Sequence, residues 1–133
     1  MSTTTISNRG ERRNLVLQQG VSLFPVRHEL YEDEAQTIPL DLTGYTVRGQ
    51  IRKTALAATV AAEFQTRIAP TATEGWYEFW LSDEQTQAIP CGPTLQDVAS
   101  RYEYDIELED ADGNVRGTFW GSVVVAAGVT RPT

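Results

Sequence analysis

The sequence has few of the residues on which most enzymes and metal proteins depend. Its 133 residues include one cysteine, one histidine and one methionine. The single Cys91 permits no intramolecular disulfide, and one cysteine with one histidine excludes a four-ligand Cys/His zinc site. A catalytic triad would have to use His28, yet no G-x-S-x-G motif is present, and the glycine loops that bind nucleotides are also missing. We therefore predict that the protein is not an enzyme and has no cofactor and no bound metal.

Long apolar runs and positive charge are also scarce. No segment is apolar over the length that a membrane span requires, and the polar N-terminus has no signal-like apolar core, so we expect no membrane partner. The net charge of −7 argues against nucleic acid as a partner. Apolar residues make up 41% of the chain, which is enough to build the core of one domain of this size.

The positive charge that is present gathers at the N-terminus. Residues 1–27 contain four arginines and one glutamate, a local charge of +3, so the rest of the chain carries −10. We predict a flexible or partner-ordered arm at residues 1–12, followed by a single β-sandwich domain at residues 13–133. The arm either solubilises the chain or docks on the acidic face of a neighbouring subunit. The arginines predicted to bind the partner are Arg9, Arg12 and Arg13.

Apolar and polar residues alternate with period two in most of the chain, which is typical of half-buried strands. Turn signals divide the sequence into about seven such segments, spaced about ten residues apart. Only residues 82–90 begin like a helix, with Ser82 and Gln85 at the positions of a capping box. The pattern predicts an all-β fold: an immunoglobulin-like antiparallel β-sandwich with one short helix and a polar N-terminal arm.

The clearest predicted element is a β-hairpin within residues 101–125, with its turn at "DADGN". Every second residue of the first strand is acidic, and we call Glu103, Asp105, Glu107 and Glu109 the acidic row. The inner face of the return strand is predicted to carry Val115, Phe119, Val123 and Val125. Its outer face is predicted to carry Arg116, Thr118, Trp120 and Ser122. Gly117 and Gly121 predict a bulge or a close chain crossing.

The acidic row admits three interpretations. A calcium loop fails on spacing, because Leu108 and Phe119 would occupy ligand positions. Neighbouring carboxylates on one strand face lie about 7 Å apart and could act as an acid/base pair, but nothing else in the sequence indicates a pocket. We interpret the row as a solvated or subunit-facing surface. Its members predicted to bind a partner are Glu103, Asp105 and Glu107.

The tryptophans exceed what a core needs. Trp120 lies on the predicted outer face of its strand, and "WYEFWL" at residues 76–81 is apolar on both faces. Trp120 is a candidate anchor for a protein partner, although these aromatic residues could also be core under a loop. Alternatively Trp76, Trp80 or Trp120 could be stacking platforms of a carbohydrate-binding module.

The order of these elements resembles small tail and baseplate proteins of tailed bacteriophages. It is similar to the N-terminal β-sandwich domain of baseplate upper proteins, over residues 15–131. The stretches that carry the resemblance are "DLTGYTVRGQIR" (41–52), "LSDEQTQAIPCG" (81–92), "YEYDIELEDADGN" (102–114) and "GSVVVAAGVT" (121–130). The long C-terminal receptor-linking region of full baseplate upper proteins has no counterpart here, which favours an adaptor over a receptor-binding protein.

The resemblance implies a structural protein of the virion, made in the host cytoplasm and located in the tail or baseplate. Its expected role is to join the baseplate or tail hub to a tail fibre through protein-protein contacts. Expected partners are other tail, baseplate or fibre proteins and further copies of the chain, in a homo-oligomer. The alternatives are a capsid cement or decoration protein, a neck or tail-completion protein, and the carbohydrate-binding module.

Overall fold

The alternating segments form nine strands in the computed structural model, which describes residues 7–130. The strands are β1 (Glu11–Arg12), β2 (Leu15–Gln18), β3 (Leu23–Glu29), β4 (Thr46–Arg52), β5 (Val60–Glu63), β6 (Gln65–Ile68), β7 (Trp76–Leu81), β8 (Arg101–Glu109) and β9 (Val115–Ala126). One α-helix, α1 (Asp83–Gln87), follows β7. Single turns of 3-10 helix lie at Ala72–Glu74 and Val98–Ser100.

The strands form two sheets that face each other. The six-stranded sheet has the order β1-β9-β8-β4-β5, with β2 also beside β9, and the three-stranded sheet has the order β3-β7-β6. Neighbouring strands are antiparallel, except that β1 and β2 run parallel to β9. The predicted all-β sandwich with one short helix is confirmed, with one parallel edge in place of a wholly antiparallel arrangement.

The core fills the space between the sheets. Ile51, Ile106 and Val123 of the larger sheet and Tyr77 and Leu81 of the smaller one are completely buried. Burying an aliphatic or aromatic side chain of this size contributes about 1.5–3 kcal/mol. These side chains come from alternate positions of their strands, so the opposite positions of the larger sheet face outward and are available to form a site.

The helix α1 begins as predicted and fixes the chain near β2. The Ser82 hydroxyl accepts the Gln85 N–H at 3.1 Å, and the Gln85 side chain accepts the Ser82 N–H at 2.9 Å. Inside the helix, the buried Thr86 hydroxyl accepts the Gly20 N–H and donates to the Val21 carbonyl. The connection between β2 and β3 is therefore tied to the body of the domain.

The β8–β9 hairpin and its turn are confirmed. Asp110 Oδ1 accepts the N–H groups of Asp112 and Asn114, at 3.0 and 2.9 Å. Gly113 adopts a φ of 87°, which a residue with a side chain rarely tolerates. These features explain why "DADGN" forms a turn.

A β-bulge in β9 makes part of the prediction wrong, because it changes which side chains of that strand point towards the core. Ile106 pairs with Phe119 but its neighbour Glu107 pairs with Gly117, so Thr118 is an extra residue. Between the bulge and the hairpin turn, the extra residue reverses which side chains point inward and which point outward. Val115, predicted to face inward, is 51% exposed, whereas Thr118, predicted to face outward, is 3% exposed.

Thr118 belongs to a chain of buried polar groups between the sheets. Its hydroxyl donates to the Ile106 carbonyl at 3.1 Å and lies 2.7 Å from the Tyr77 hydroxyl, which lies 3.0 Å from His28 Nδ1. The His28 ring stacks on Phe119 with 4.1 Å between centroids. Burial lowers the pKa of His28, opposed by the charge of Glu11 and reinforced by that of Arg13.

Candidate protein-binding groove

A groove of about 400 Å³ lies on the outer face of the six-stranded sheet. The pairing of three strands places the residues of its floor side by side. Asp105 of β8 pairs with Trp120 of β9 on one side and with Gln50 of β4 on the other. The residues that line it include Arg9, Arg12, Arg52, Glu103, Asp105, Glu107 and Trp120. The groove therefore brings together six of the seven residues predicted to bind a partner, and the seventh, Arg13, lies beside it.

The acidic row faces outward because the aromatic and aliphatic residues of β8 fill the core side. Within residues 7–130 most of the row is paired. Glu103 accepts the Ala55 N–H at 2.7 Å, and Arg48 lies 3.5 Å from Glu107 and 3.6 Å from Glu109.

Asp105 differs from the rest of the row, because its carboxylate forms neither an ion pair nor a hydrogen bond with any residue from 7 to 130, whereas Glu103 accepts a backbone N–H and Glu107 and Glu109 pair with Arg48. Desolvation in the groove raises the pKa of its carboxyl, and the nearby charge of Glu107 raises it further. Arg9, Arg52 and Arg48 oppose that rise. Asp105 is thus a carboxylate held close to several guanidinium groups without a fixed partner.

The arginines of the predicted arm lie on Trp120 of the same chain. The Arg9 guanidinium carbon is 3.5 Å from the centre of the Trp120 ring, and that of Arg12 is 5.4 Å away. An exposed cation–π contact contributes about 0.5–1 kcal/mol. Arg13 instead pairs with Glu11 at 2.9 Å and approaches the Phe119 ring.

Residues 7–14, which we call the N-terminal segment, reach the groove by running along β9. Residues 11 and 12 form β1, so this part of the predicted arm is an edge strand of its own sheet. The rest of the predicted arm, residues 1–6, lies outside the described residues. Each residue of the N-terminal segment is exposed to solvent.

Glycines allow the N-terminal segment to approach β9 closely. A Cβ on Gly117 would lie 2.8 Å from the Arg9 carbonyl oxygen, and one on Gly121 would clash with the Arg13 carbonyl. The close crossing predicted from Gly117 and Gly121 is therefore confirmed. Sequence reasoning missed that the crossing chain is the N-terminal segment, although Gly10, with a φ of 84°, is a second signal on the segment itself.

In addition to the pairing of β1 with β9, three hydrogen bonds fasten the N-terminal segment to the hairpin. The Arg13 N–H donates to the Trp120 carbonyl at 2.8 Å, and the Tyr104 hydroxyl donates to the Arg13 carbonyl at 2.5 Å. Next along the chain, the Asn14 side chain accepts the Ser122 N–H at 3.1 Å. Together with the arginine contacts, they fix the register of the segment on β9.

A second charged cluster covers the outer face of the three-stranded sheet. The Glu78 side chain, 11% exposed, lies 2.5 Å from Arg67 and 3.8 Å from Arg27. Arg27 also covers Trp76, with 3.6 Å between its guanidinium carbon and the ring centre. Trp76 is buried under this cluster, whereas Trp80 on the same face is partly exposed.

Other kinds of site have little support in the described part of the chain. Between residues 7 and 130 no three His, Cys, Asp or Glu side chains are arranged to hold a metal ion. No helix in this range has the length and apolar character of a membrane span. Cys91 is a free thiol, partly buried against the core.

Comparison with known proteins gives no family. No protein-family model and no curated protein matches the chain. Among solved structures, it is similar to the crystal structure of a mutant of the SrpA adhesin from Streptococcus sanguinis, with 11% identity and a TM-score of 0.47. The alignment covers 90% of this chain and 58% of the adhesin chain, so this chain spans less than two thirds of the adhesin's length.

Proposed function

We propose that this protein is a structural part of a bacteriophage tail, an adaptor that joins the baseplate or tail hub to a tail fibre through protein-protein contacts. The observation that carries the proposal is the order of four sequence stretches between residues 41 and 130 that resemble tail and baseplate proteins. Each stretch corresponds to an element of the sandwich: the turn into β4, the capped helix α1, the β8 hairpin and the end of β9.

The surface chemistry is suited to protein contacts. The groove combines an indole, several guanidinium groups and carboxylates on a rigid sheet, and tryptophan and arginine are enriched among the residues that dominate protein interfaces. The groove is open and is formed by strands and the N-terminal segment. That the protein is not an enzyme stays a prediction.

The carbohydrate-binding alternative has less support from the geometry. A sugar ring that stacks on tryptophan needs a free face of the indole, and Arg9 and Arg27 lie 3.5 and 3.6 Å from the ring centres of Trp120 and Trp76. Only Trp80 is left as a platform among the three tryptophans. Binding of the protein to glycans that is lost in Trp80→Ala would favour this alternative.

The test of the proposal is to locate the protein in phage particles. Purified particles of the phage that encodes this chain are labelled with a specific antibody and gold, and particles from a strain with the gene deleted serve as the control. We expect gold at the tail tip or the fibre base, and tails without fibres in the deletion strain. Gold over the head would instead indicate a cement protein, and its absence from particles with an accessible epitope would refute a virion role.

A further inference from the structure

The hydrogen bonds and ring contacts that hold residues 9–14 are made with one part of the molecule, the β8–β9 hairpin. They comprise the bonds of Arg13 and Asn14 to Trp120, Tyr104 and Ser122, and the contacts of the arginines with the rings of β9. The hairpin surface that receives them, which we call the docking strip, is defined by Gly117, Trp120, Gly121 and Asp105. Every copy of the chain thus carries one N-terminal segment and one docking strip that fits it.

The docking strip is specific for this kind of segment. The missing side chains at Gly117 and Gly121 admit a backbone in one register, with the Arg9 and Arg13 carbonyls above them. The Trp120 ring then receives the guanidinium of Arg9, with 3.5 Å between the guanidinium carbon and the ring centre. The charge of Arg9 also acts on the nearby carboxylate of Asp105 without forming an ion pair. An occupant must therefore be extended, lie parallel to β9 and present an arginine at this point.

The N-terminal segment can leave the docking strip without unfolding the domain. Residues 8–14, "NRGERRN", bury no apolar side chain, and all of them are exposed. The chain becomes anchored only after Asn14, where Leu15 and Leu17 enter the core, followed by the bonds of Gly20 and Val21 to Thr86. Contacts of this kind belong to the parts of a protein that open locally at low cost.

We propose that the docking strip binds the N-terminal segment of a second copy, so that neighbouring copies exchange residues 8–13. Exchange keeps every contact seen within one chain, which is why swapping of a terminal strand is a low-cost route to association. Charge stabilises the contact between copies as it does within one chain, because the segment carries three arginines and one glutamate while the docking strip lies on the acidic row. Six extended residues reach roughly 20 Å, so the two copies must approach through their β1 edges.

The test uses site-directed cross-linking between two differently sized versions of the full chain, each with Cys91→Ser. One version carries Asn8→Cys and an added tag, and the other carries Val115→Cys. Both positions are exposed and line the same hollow beside the groove, so a short bis-maleimide can join them when the segment is in place. A third version carries Glu34→Cys, on an exposed loop, and measures random collision. A chain with both Asn8→Cys and Val115→Cys reports docking within one molecule.

Exchange predicts a cross-linked heterodimer of the Asn8→Cys and Val115→Cys chains, above the level found with Glu34→Cys. Adding Gly117→Ala to the Val115→Cys chain should abolish the excess, because the new methyl group meets the Arg9 carbonyl. If the double-cysteine chain cross-links only within itself and the mixed chains do not exceed the collision level, exchange is refuted. Failure of the double-cysteine chain to cross-link would also overturn the proposal, because the docked register would then be wrong. Neither result depends on where the protein lies in a virion.

Discussion

The buried hydroxyl of Thr118 should contribute to stability through its hydrogen bonds, and Thr118→Val tests this with almost no change of shape. The Thr118 hydroxyl uses its one proton to donate to the Ile106 carbonyl. The Tyr77 hydroxyl therefore donates to Thr118 Oγ1, and the Tyr77 oxygen accepts from His28 Nδ1. Valine removes both bonds of the threonine. The Tyr77 hydroxyl keeps His28 as a partner. Burial of Tyr77 raises the pKa of that hydroxyl well above its usual value, because the site excludes water.

The expected cost follows from the two bonds. A hydrogen bond contributes about 0.5–1.5 kcal/mol net, so Thr118→Val should lower the free energy of unfolding by about 1–3 kcal/mol. Tyr77→Phe removes the other partner of the hydrogen bond between the Tyr77 and Thr118 hydroxyls. Because that bond is lost in either single variant, the double variant should cost less than the sum of the two, by about 0.5–1.5 kcal/mol.

Urea unfolding of the wild type, both single variants and the double variant measures these quantities. A change in midpoint at constant slope reports stability alone. Near-UV circular dichroism confirms that the aromatic core is intact in each protein. If Thr118→Val is as stable as the wild type, or if the two substitutions are additive, the buried network does not contribute as we infer.

Three further predictions concern the N-terminal segment, His28 and α1. Gly121→Ala should displace the N-terminal segment from β9, because a Cβ at this position clashes with the Arg13 carbonyl. Limited digestion with trypsin should then cut at the arginines of the segment faster than in the wild type. An equal rate of cleavage would contradict the close approach of the segment to β9. The lowered pKa of His28 means that the unfolded chain binds a proton more readily. The free energy of unfolding should therefore fall as the pH drops below about 6.5 towards the pKa of His28 in the folded protein. Urea unfolding at pH 7.5 and at pH 5.5 measures this loss of stability, and the part of the loss that is due to His28 should disappear in His28→Gln. Ser82→Ala should cost about 1 kcal/mol by the same assay, because the Gln85 N–H loses its capping acceptor, while Ser82→Asp should restore most of it.

The β8 strand shows what local pattern can predict. Its alternation of aromatic or aliphatic residues with acids assigns each residue to one face, because successive strand residues point in opposite directions. Tyr102 and Tyr104 are buried as that rule requires, and the first three residues of the acidic row line the groove. The capping box of α1 was equally predictable, since Ser82 and Gln85 satisfy each other's backbone groups without help from distant residues.

The same rule could not predict which side chains of β9 near the turn point towards the core. One extra residue at Thr118 reverses the alternation, and nothing in "VRGTFW" fixes which residue is extra. The reason lies on another strand and in the core, where Thr118 reaches Tyr77 and the Ile106 carbonyl. His28 shows the same limit, because its place against Phe119 depends on how the two sheets meet.

The N-terminal segment was predictable in its chemistry but not in its place. Its arginines indicated an acidic partner surface, and Gly117 and Gly121 indicated a chain crossing, but sequence alone did not connect these signals. A polar segment with a two-residue strand carries no apolar pattern that would pair it with β9, about one hundred residues away in sequence. Its pairing depends on the shape of β9, which exists only once the hairpin has folded.

The position of the segment changes what a partner meets on this face of the domain. Without Arg9 and Arg12 the groove would offer the carboxylates of Glu103, Asp105 and Glu107 against the single guanidinium of Arg52. With both arginines in place its formal charges balance, so general attraction of any basic protein is weak there. Recognition must then depend on shape and register, which Gly117 and Gly121 restrict to an extended backbone. A partner that supplies such a backbone together with an arginine can replace the N-terminal segment contact for contact, and another copy of this chain meets both conditions.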